Sequence, residues 1–129
     1  MSTDRYAVIG SGIGYSRSPR IHALFAAATG QALEYGLIDV AGEAFEPAVR
    51  DFFAGGGRGL NVTVPYKERA LALAAKLTPR ARSAGAVNTL SAGPGGLIGD
   101  NTDGAGLVRD LGGNLGFVLA GARVLLLGA

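Results

Sequence analysis

The chain has 129 residues, enough for one domain with its own core, and its formal net charge is +2 at pH 7. Hydrophobic residues make up 48% of the sequence and charged residues 17%, a globular composition that excludes intrinsic disorder. Cysteine is absent and histidine occurs once, which excludes disulfides, thiolate chemistry and an ordinary zinc site, so no metal is expected.

The patterns of charge and hydropathy argue against nucleic acid and membranes as partners. Arginine and lysine are scattered and do not alternate with aromatic residues, so nucleic-acid binding is not expected. Glycine or charge interrupts the apolar stretches before they reach the length of a membrane helix, and the apolar run after Arg5 is too short for a signal peptide. A cytoplasmic location is therefore the expectation, with no membrane partner.

The first half of the chain alternates predicted strands and helices. Ser18 and Pro19 are typical of a helix start, and apolar residues recur at helical spacing from there to Gly30. Three consecutive glycines end a second helix. The predicted elements are a strand at Tyr6–Ile9, a helix to Thr29, a strand at Leu33–Val40, a helix at Phe45–Ala54 and a strand at Gly59–Val64.

The second half continues with helices and a hairpin. Thr78 and Pro79 predict the start of a short helix, and the turn Ala92–Gly96 predicts a hairpin between two short strands. The order of elements indicates an α/β fold with a mostly parallel sheet, covered by helices, and one antiparallel strand. The remaining predicted elements are helices at Tyr66–Lys76, 79–84 and Gly104–Leu111, and the hairpin strands Val87–Leu90 and Leu97–Gly99.

The C-terminal segment predicts the beginning of another unit. The apolar run from Arg123 to Leu127 leads into Gly128 and Ala129, as the first strand of a nucleotide-binding βαβ unit leads into its glycine loop. We therefore expect a second domain to follow in the full-length protein.

One segment, Asn61–Glu68, predicts a ligand site most directly. Asn61 and Thr63 are two residues apart and share a strand face, and Pro65 prevents the strand from continuing. Polar side chains at the carboxyl end of a strand in an α/β domain commonly face a ligand crevice. The segment therefore predicts a site for a small polar molecule.

Lys67 follows at the start of the next helix, where a cation opposes the helix dipole. This position suits an acid-base lysine. The alternative is a solvated surface lysine. The preceding Asn61 and Thr63 favour the functional interpretation.

Other polar positions keep two interpretations. Ser16 and Ser18 could bind an anionic or polyhydroxyl ligand at a helix N-terminus, or Ser18 could simply cap the helix. Asn88 lies on a buried strand, where its amide needs a ligand or backbone partner. Asp103 could cap a helix or point its carboxylate into the crevice.

Two further features are interpreted as structural. The glycines of Gly10–Tyr15 follow a strand, but Tyr15 occupies a position that a dinucleotide fingerprint reserves for glycine or alanine, and the helix begins only at Pro19. A plain glycine loop is favoured. His22 lies beside apolar helix positions with no evident polar partner.

Four segments together resemble shikimate dehydrogenase. Any one of them would be weak evidence, but four in one order over nearly the whole chain form a specific pattern. The segments are Ser16–Pro19, Asn61–Glu68, Gly85–Thr89 and Gly99–Gly104.

The resemblance implies a three-layer α/β/α substrate-binding domain at residues 1–121, with residues 122–129 opening an NADP-binding Rossmann domain absent from this chain. The whole enzyme would reversibly reduce 3-dehydroshikimate to shikimate with NADPH, in the pathway to chorismate and the aromatic amino acids. NADP would be bound mainly by the missing domain, with Gly128 and Ala129 beginning its motif. This chain alone is expected to be inactive, and the family leaves open a homodimer of the full-length protein.

The resemblance also assigns roles to site residues. Ser16 and Ser18 would bind the substrate carboxylate, and Asn61, Thr63 and Asn88 would hold ring hydroxyls. Lys67 and Asp103 would form the catalytic pair beside the oxidised hydroxyl. Lys67 would carry the proton, and Asp103 would bind the hydroxyl and maintain the charge of the lysine.

Three alternatives remain at the level of sequence. One is a quinate/shikimate dehydrogenase that uses NAD, and another is a non-catalytic binding domain for shikimate-like acids. The weakest is a structural α/β domain whose motifs are only caps and turns.

Overall fold

A six-stranded sheet with helices on both faces forms the centre of the protein. The computed structural model describes residues 3–128. The strand order across the sheet is β2-β1-β3-β5-β6-β4. The strands are β1 (Asp4–Gly10), β2 (Leu33–Asp39), β3 (Gly57–Val62), β4 (Lys76–Leu77), β5 (Thr89–Gly93) and β6 (Gly96–Asp100), and the helices are α1 (Ser18–Thr29), α2 (Phe45–Ala54), α3 (Lys67–Leu73), α4 (Pro79–Ala84) and α5 (Asp103–Arg109).

Strand β5 alone runs against its neighbours. It pairs antiparallel with both β3 and β6, whereas β1 with β2, β1 with β3 and β4 with β6 are parallel pairs. The predicted mostly parallel sheet with one antiparallel strand is therefore confirmed. The predicted hairpin is the pair β5–β6, with shifted bounds. Strand β5 begins and ends later than predicted, and β6 is one residue longer at each end, because the pairing extends to Gly93 and Gly96 at the turn and to Asp100 at the other end.

The larger core lies on the sheet face that α2, α3 and α4 cover. Phe45 and Val49 of α2 are fully buried there against alternate residues of the central strands, as their helical spacing predicts. The rings of Phe45 and Tyr66 stack with centroids 4.4 Å apart. The other core residues are Ala7, Ile9, Phe52, Leu60, Val62, Ala70, Ala81, Val87 and Leu90.

Helix α1 covers the opposite face and completes the third layer. It packs against β2, where the ring of His22 lies 3.9 Å from the ring of Tyr35. Its apolar stripe predicts the helix correctly, but the structure buries Ala26 and leaves Leu24 and Phe25 each 61% exposed. Gly30 ends the helix in the left-handed conformation, as expected.

Several boundaries differ from the predictions. Strand β3 ends at Val62, two residues before the predicted end, and α3 ends at Leu73 because Ala74 is extended. The chain then pairs Lys76 and Leu77 with β6, a short parallel strand that the sequence did not predict. Its two residues are too few for a period-2 pattern.

The C-terminal residues form no regular sheet pairing in the described chain. After α5, a π-helical turn covers Asp110–Asn114, and the strand predicted at Arg123–Leu127 is not formed. Val124 and Leu127 are about four-fifths exposed, because no neighbouring strand of residues 3–128 pairs with them. Ala129, which was predicted to continue the cofactor motif with Gly128, lies outside the described residues.

Within residues 3–128, no helix has the length and apolar character needed to cross a membrane. The same residues contain no cluster of three or more acidic or histidine side chains that could hold a metal ion.

Candidate functional site

The candidate site lies where several elements meet at one edge of the sheet. Strands β3 and β6 end at this edge, and β5 begins there because it runs antiparallel. The register places Thr89, the first residue of β5, opposite Asn61 on one side and Asp100 on the other. The segments that carry Lys67, Asn88 and Asp103 therefore start from adjacent strands.

Lys67 and Asp103 form an ion pair across this edge. Each is the first residue of its helix, and the Nζ atom of Lys67 lies 2.6 Å from Oδ2 of Asp103. The amide of Val87 donates to the carbonyl of Lys67 at 2.9 Å, which fixes the start of α3 against the segment before β5. The Lys67 side chain is 35% exposed and that of Asp103 54%, so a solute can reach both.

Asn88 supports the second oxygen of the Asp103 carboxylate. Its Nδ2 donates to Oδ1 of Asp103 at 3.0 Å and to Oγ1 of Thr102 at 2.8 Å, while its Oδ1 accepts from the amide of Thr102 at 3.0 Å. Hydrogen bonds from Lys67 and Asn88 hold the pKa of Asp103 below its ordinary value, the Lys67 bond being the larger cause and partial burial opposing both. Asp103 is therefore a carboxylate with both oxygens engaged.

Asp103 does not act as a plain helix cap. The cap position of α5 is Thr102, whose side chain makes no capping hydrogen bond, and the amide of Asp103 donates to Oδ1 of the buried Asn101 at 3.0 Å. The Nδ2 of Asn101 donates to the carbonyl of Ala86 at 3.0 Å. The Asn101 side chain thus binds the first amide of α5, and the Asp103 carboxylate faces Lys67 instead.

Asn61 lies on β3 beside the same network. Its Oδ1 accepts from the hydroxyl of Tyr35 at 2.7 Å, and its Nδ2 lies 3.4 Å from Oγ1 of Thr89. Thr89 in turn donates to Oδ1 of Asn88 at 2.9 Å. Asn61 and Asn88 are therefore linked through one hydroxyl.

An open depression of about 350 Å³ lies beside the ion pair. Thr63 and Lys67 give it polar character, and Pro65 and Val64 give it an apolar wall. Thr63 itself is fixed by its amide, which donates to the carbonyl of Ile9 at 2.9 Å. The lining residues are Thr63, Val64, Pro65, Lys67, Glu68 and Ala86.

Ser16 and Ser18 lie together at the start of α1, with their Oγ atoms 3.2 Å apart. The N-cap residue of α1 is Arg17, and the Ser18 side chain makes no capping hydrogen bond. The predicted serine cap is therefore wrong. The amide of Ser18 instead donates to Oγ of Ser16 at 3.3 Å. The two hydroxyls thus form a compact polar pair, half-buried behind the end of β1.

The glycine loop after β1 is held by an acidic side chain. Asp39 accepts hydrogen bonds from the amides of Gly12 at 2.8 Å and Ile13 at 3.0 Å. These are backbone donors of the kind that a phosphate would need. The loop is therefore structural, as its sequence indicates. Gly10 must remain glycine, because an added Cβ would lie 2.7 Å from the Thr63 methyl and 2.8 Å from the Val64 carbonyl.

A family model describes the same part of the chain. The model of the shikimate dehydrogenase substrate binding domain matches residues 8–90. The chain belongs to this family. The match begins within β1 and ends within β5, and it includes all six residues that line the depression, while Asp103 lies beyond it.

A curated protein and a solved structure are each similar to most of this chain. The shikimate dehydrogenase (NADP(+)) of Alkalilimnicola ehrlichii is 61% identical over 127 residues, which are 98% of this chain and 47% of that protein. An Ael1 enzyme from Pseudomonas putida has a solved structure with a TM-score of 0.86 and 47% identity, covering 88% of this chain and 42% of that one.

A more distant structure comes from Thermus thermophilus. This shikimate 5-dehydrogenase, solved in complex with NADP(H) and shikimate, has a TM-score of 0.80 and 35% identity over 87% of this chain and 42% of that one. The chain spans about half the length of the curated relatives it matches. The α/β fold inferred from the sequence is therefore the fold of this family.

Sequence reasoning missed several members of the network in this shikimate dehydrogenase domain. Tyr35 lies on β2, two strands away from Asn61, and only the strand order β2-β1-β3 brings their side chains together. Thr89 and Thr102 lie within the segments that carry the resemblance, but their hydroxyls were given no role. Tyr35 carries no signal in its local sequence that could have identified it.

Proposed function

We propose that this chain is the substrate-binding and acid-base part of an NADP-dependent shikimate dehydrogenase. The full-length enzyme would interconvert 3-dehydroshikimate and shikimate, and a bacterial biosynthetic enzyme of this kind would work in the cytoplasm. The curated relatives carry the name shikimate dehydrogenase (NADP(+)), which favours NADP over the NAD-using quinate/shikimate alternative. The observation that carries the proposal is the Lys67–Asp103 pair beside an open depression with both polar and apolar lining residues.

We assign residues 1–121 to the substrate-binding domain and residues 122–129 to the first strand of an NADP-binding domain. Two observations support this division. The segment that matches this chain makes up 47% of the length of each of two curated relatives. Val124 and Leu127, which would be central in a parallel strand, are largely exposed in this chain.

The substrate carries a carboxylate and ring hydroxyls, and the site offers partners for each. Ser16 and Ser18 would each donate a hydroxyl hydrogen bond to the carboxylate, which would replace the present bond from Ser16 to Ser18. Asn61, Thr63 and Asn88 would contact ring hydroxyls. Neighbours engage both ends of the Asn61 and Asn88 amides, so a ring hydroxyl would bind by replacing or sharing one of these hydrogen bonds.

The acid-base step uses the ion pair. In the direction of reduction, the Lys67 ammonium would donate a proton to the carbonyl oxygen, and in the reverse direction the neutral amine would recover it from the hydroxyl. Asp103 would accept a hydrogen bond from the hydroxyl that is formed. Its other carboxylate oxygen holds the Lys67 ammonium in place at 2.6 Å.

NADP would supply or accept the hydride when bound, but the glycine loop of this chain that follows β1 does not fit a dinucleotide. The amides of Gly12 and Ile13, in the glycine loop that follows β1, are engaged by Asp39. We therefore assign NADP binding to the second domain.

A titration of the 129-residue chain with shikimate tests the binding part of this proposal. We expect saturable binding that is weakened by Ser16→Ala but not by Ser83→Ala, which changes an exposed serine on α4. Quinate should bind less tightly.

The enzymatic part is tested by reduction of NADP+ and NAD+ with shikimate in the full-length protein. Binding without any turnover in the full-length protein would favour a non-catalytic binding domain, and no binding in either protein would overturn the proposal.

A further inference from the structure

We infer that Tyr35 is a positioning residue that sets the direction of a hydrogen-bond chain running across the sheet to Asp103. Tyr35 lies on β2, outside the depression, and none of the four segments that carry the family resemblance includes it. The structural part of the inference concerns hydrogen bonds alone. Its kinetic consequence rests on the proposed function.

The chain of hydrogen bonds donates in one direction throughout. The Tyr35 hydroxyl donates to Oδ1 of Asn61 at 2.7 Å, and Nδ2 of Asn61 points to Oγ1 of Thr89 at 3.4 Å. The Thr89 hydroxyl donates to Oδ1 of Asn88 at 2.9 Å, and Nδ2 of Asn88 donates to Oδ1 of Asp103 at 3.0 Å. The ammonium of Lys67 lies on the other carboxylate oxygen of Asp103.

Direction matters because an asparagine side chain has a donor end and an acceptor end of nearly the same shape. The hydroxyl of Tyr35 meets the acceptor end of Asn61 and thereby turns the donor end toward Thr89. A threonine hydroxyl has one proton, so Thr89 gives it to Asn88 only while Asn61 presents its NH₂ group. If Asn61 turned over, the Thr89 proton could go to Asn61, and Asn88 would lose one of the bonds that aim its NH₂ group at Asp103.

Two features keep Tyr35 in the role of donor. Burial raises the pKa of the Tyr35 phenol to about 12, so the hydroxyl stays protonated at neutral pH. The His22 ring lies 3.9 Å from the Tyr35 ring, and its buried Nδ1 has no hydrogen-bond partner among residues 3–128, so His22 contacts Tyr35 as a packing surface. The phenol is therefore held in place by packing and directed by a single acceptor.

The side-chain amide signals of Asn88 in nuclear magnetic resonance spectra of the 129-residue chain test the structural part. Tyr35→Phe should shift these signals and speed their exchange with water by about 3- to 10-fold, the loss expected when one neutral hydrogen bond is removed. Tyr6→Phe is the matched control, because Tyr6 neighbours Tyr35 in register and its hydroxyl makes no hydrogen bond with the described residues. Unchanged Asn88 signals in folded Tyr35→Phe would overturn the inference.

Thr89 provides a second, independent variant. Thr89→Val should change the Asn88 signals as Tyr35→Phe does, and Thr89→Ser should restore them, because serine keeps the hydroxyl. The double variant Tyr35→Phe/Thr89→Val should be no worse than Thr89→Val alone, since the chain is already broken at its middle. Additive effects would mean that Tyr35 acts only through general packing.

The kinetic consequence is measured in the full-length enzyme. Tyr35→Phe should lower kcat about 3- to 10-fold, because Asp103 is less well oriented. KM should rise by a smaller factor, because Asn61 is held less firmly while the carboxylate-binding serines are untouched. Altered Asn88 signals without altered kinetics would leave the hydrogen-bond chain intact as a finding but refute its role in the proposed reaction. Unaltered signals would refute the inference whatever the activity of the enzyme.

Discussion

The Nζ atom of Lys67 and Oδ2 of Asp103 lie 2.6 Å apart although 36 residues separate them in the chain. They meet because α3 follows β3 and α5 follows β6, while the antiparallel β5 between those strands begins at the same edge. The contact therefore depends on the order of three strands in the sheet. This relationship leads to the first two predictions.

Lys67→Ala should lower kcat of the full-length enzyme by ~10²–10⁴-fold, which is the usual contribution of a positioned proton-transfer group. KM should change much less, because the serine pair and the asparagines remain. Steady-state kinetics at neutral pH measure both constants. Lys76→Ala is the matched control, since Lys76 is an exposed lysine on β4 away from the depression, and it should behave like the wild type. If both variants keep normal kcat, Lys67 is a surface lysine.

Lys67 and Asp103 should behave as one unit. Asp103→Asn removes the carboxylate that holds the Lys67 ammonium in place, and Lys67→Ala removes the proton carrier itself. Because either change disables the same step, the double variant should be little slower than the slower single variant. Measuring kcat for all four proteins gives the coupling. Multiplicative losses in the double variant would show that the two residues act separately, in spite of their contact.

The sequence predicted the residues of this pair but could not predict the network around it. Lys67 and Asp103 are recognisable because each polar residue stands near the start of a helix, a few residues after a strand. Tyr35 was missed because its contact with Asn61 depends on the order of strands, which no local pattern encodes. Long-range order of this kind is decided by how the strands pack.

The secondary structure shows the same division between local and distant causes. Helix α2 and the end of α1 at Gly30 agree with the predictions, because amphipathic spacing and a left-handed glycine are local signals. The exposed stripe of α1, the short strand β4 and the unpaired segment Arg123–Leu127 depend on which neighbours are present, and the predictions failed or remain untested there.

Ser16→Ala and Ser18→Ala should differ in their effects on stability although both weaken substrate binding. Each removes a hydroxyl that would bind the carboxylate, worth ~1.5–3 kcal/mol when the partner is charged. Oγ of Ser16 also accepts the amide of Ser18, whereas Ser18 makes no capping bond, so only Ser16→Ala should lower the melting temperature appreciably. Thermal melts and shikimate titrations of both variants, with Ser83→Ala as control, separate the two effects. Normal shikimate affinity in Ser16→Ala would mean that the carboxylate is bound elsewhere.

Asp100 should give the protein part of its stability against acid. Its carboxylate accepts hydrogen bonds from Arg80 Nε at 2.7 Å, from the Thr78 hydroxyl at 2.7 Å and from the amide of Asn101 at 2.8 Å, so it ties β6 to the start of α4. These bonds, that from Arg80 first, hold the pKa of Asp100 well below its ordinary value.

The sign of the pH effect follows from this direction. A carboxylate whose pKa is lower in the folded state binds protons more readily when unfolded, so its stabilisation is complete above about pH 4, the ordinary range of aspartate, and is lost as the pH falls toward the folded pKa. Asp103, whose pKa is also lowered, contributes in the same direction.

Asp100→Asn should therefore melt at a lower temperature than the wild type at pH 7, and the difference between the two melting temperatures should narrow at about pH 2.5. Asp51→Asn, which changes an exposed carboxylate on α2, should follow the wild type at both pH values. A gap between wild type and Asp100→Asn that stays constant from pH 7 to about pH 2.5 would mean that the ion pair with Arg80 contributes nothing to stability and that asparagine fails for reasons of packing alone.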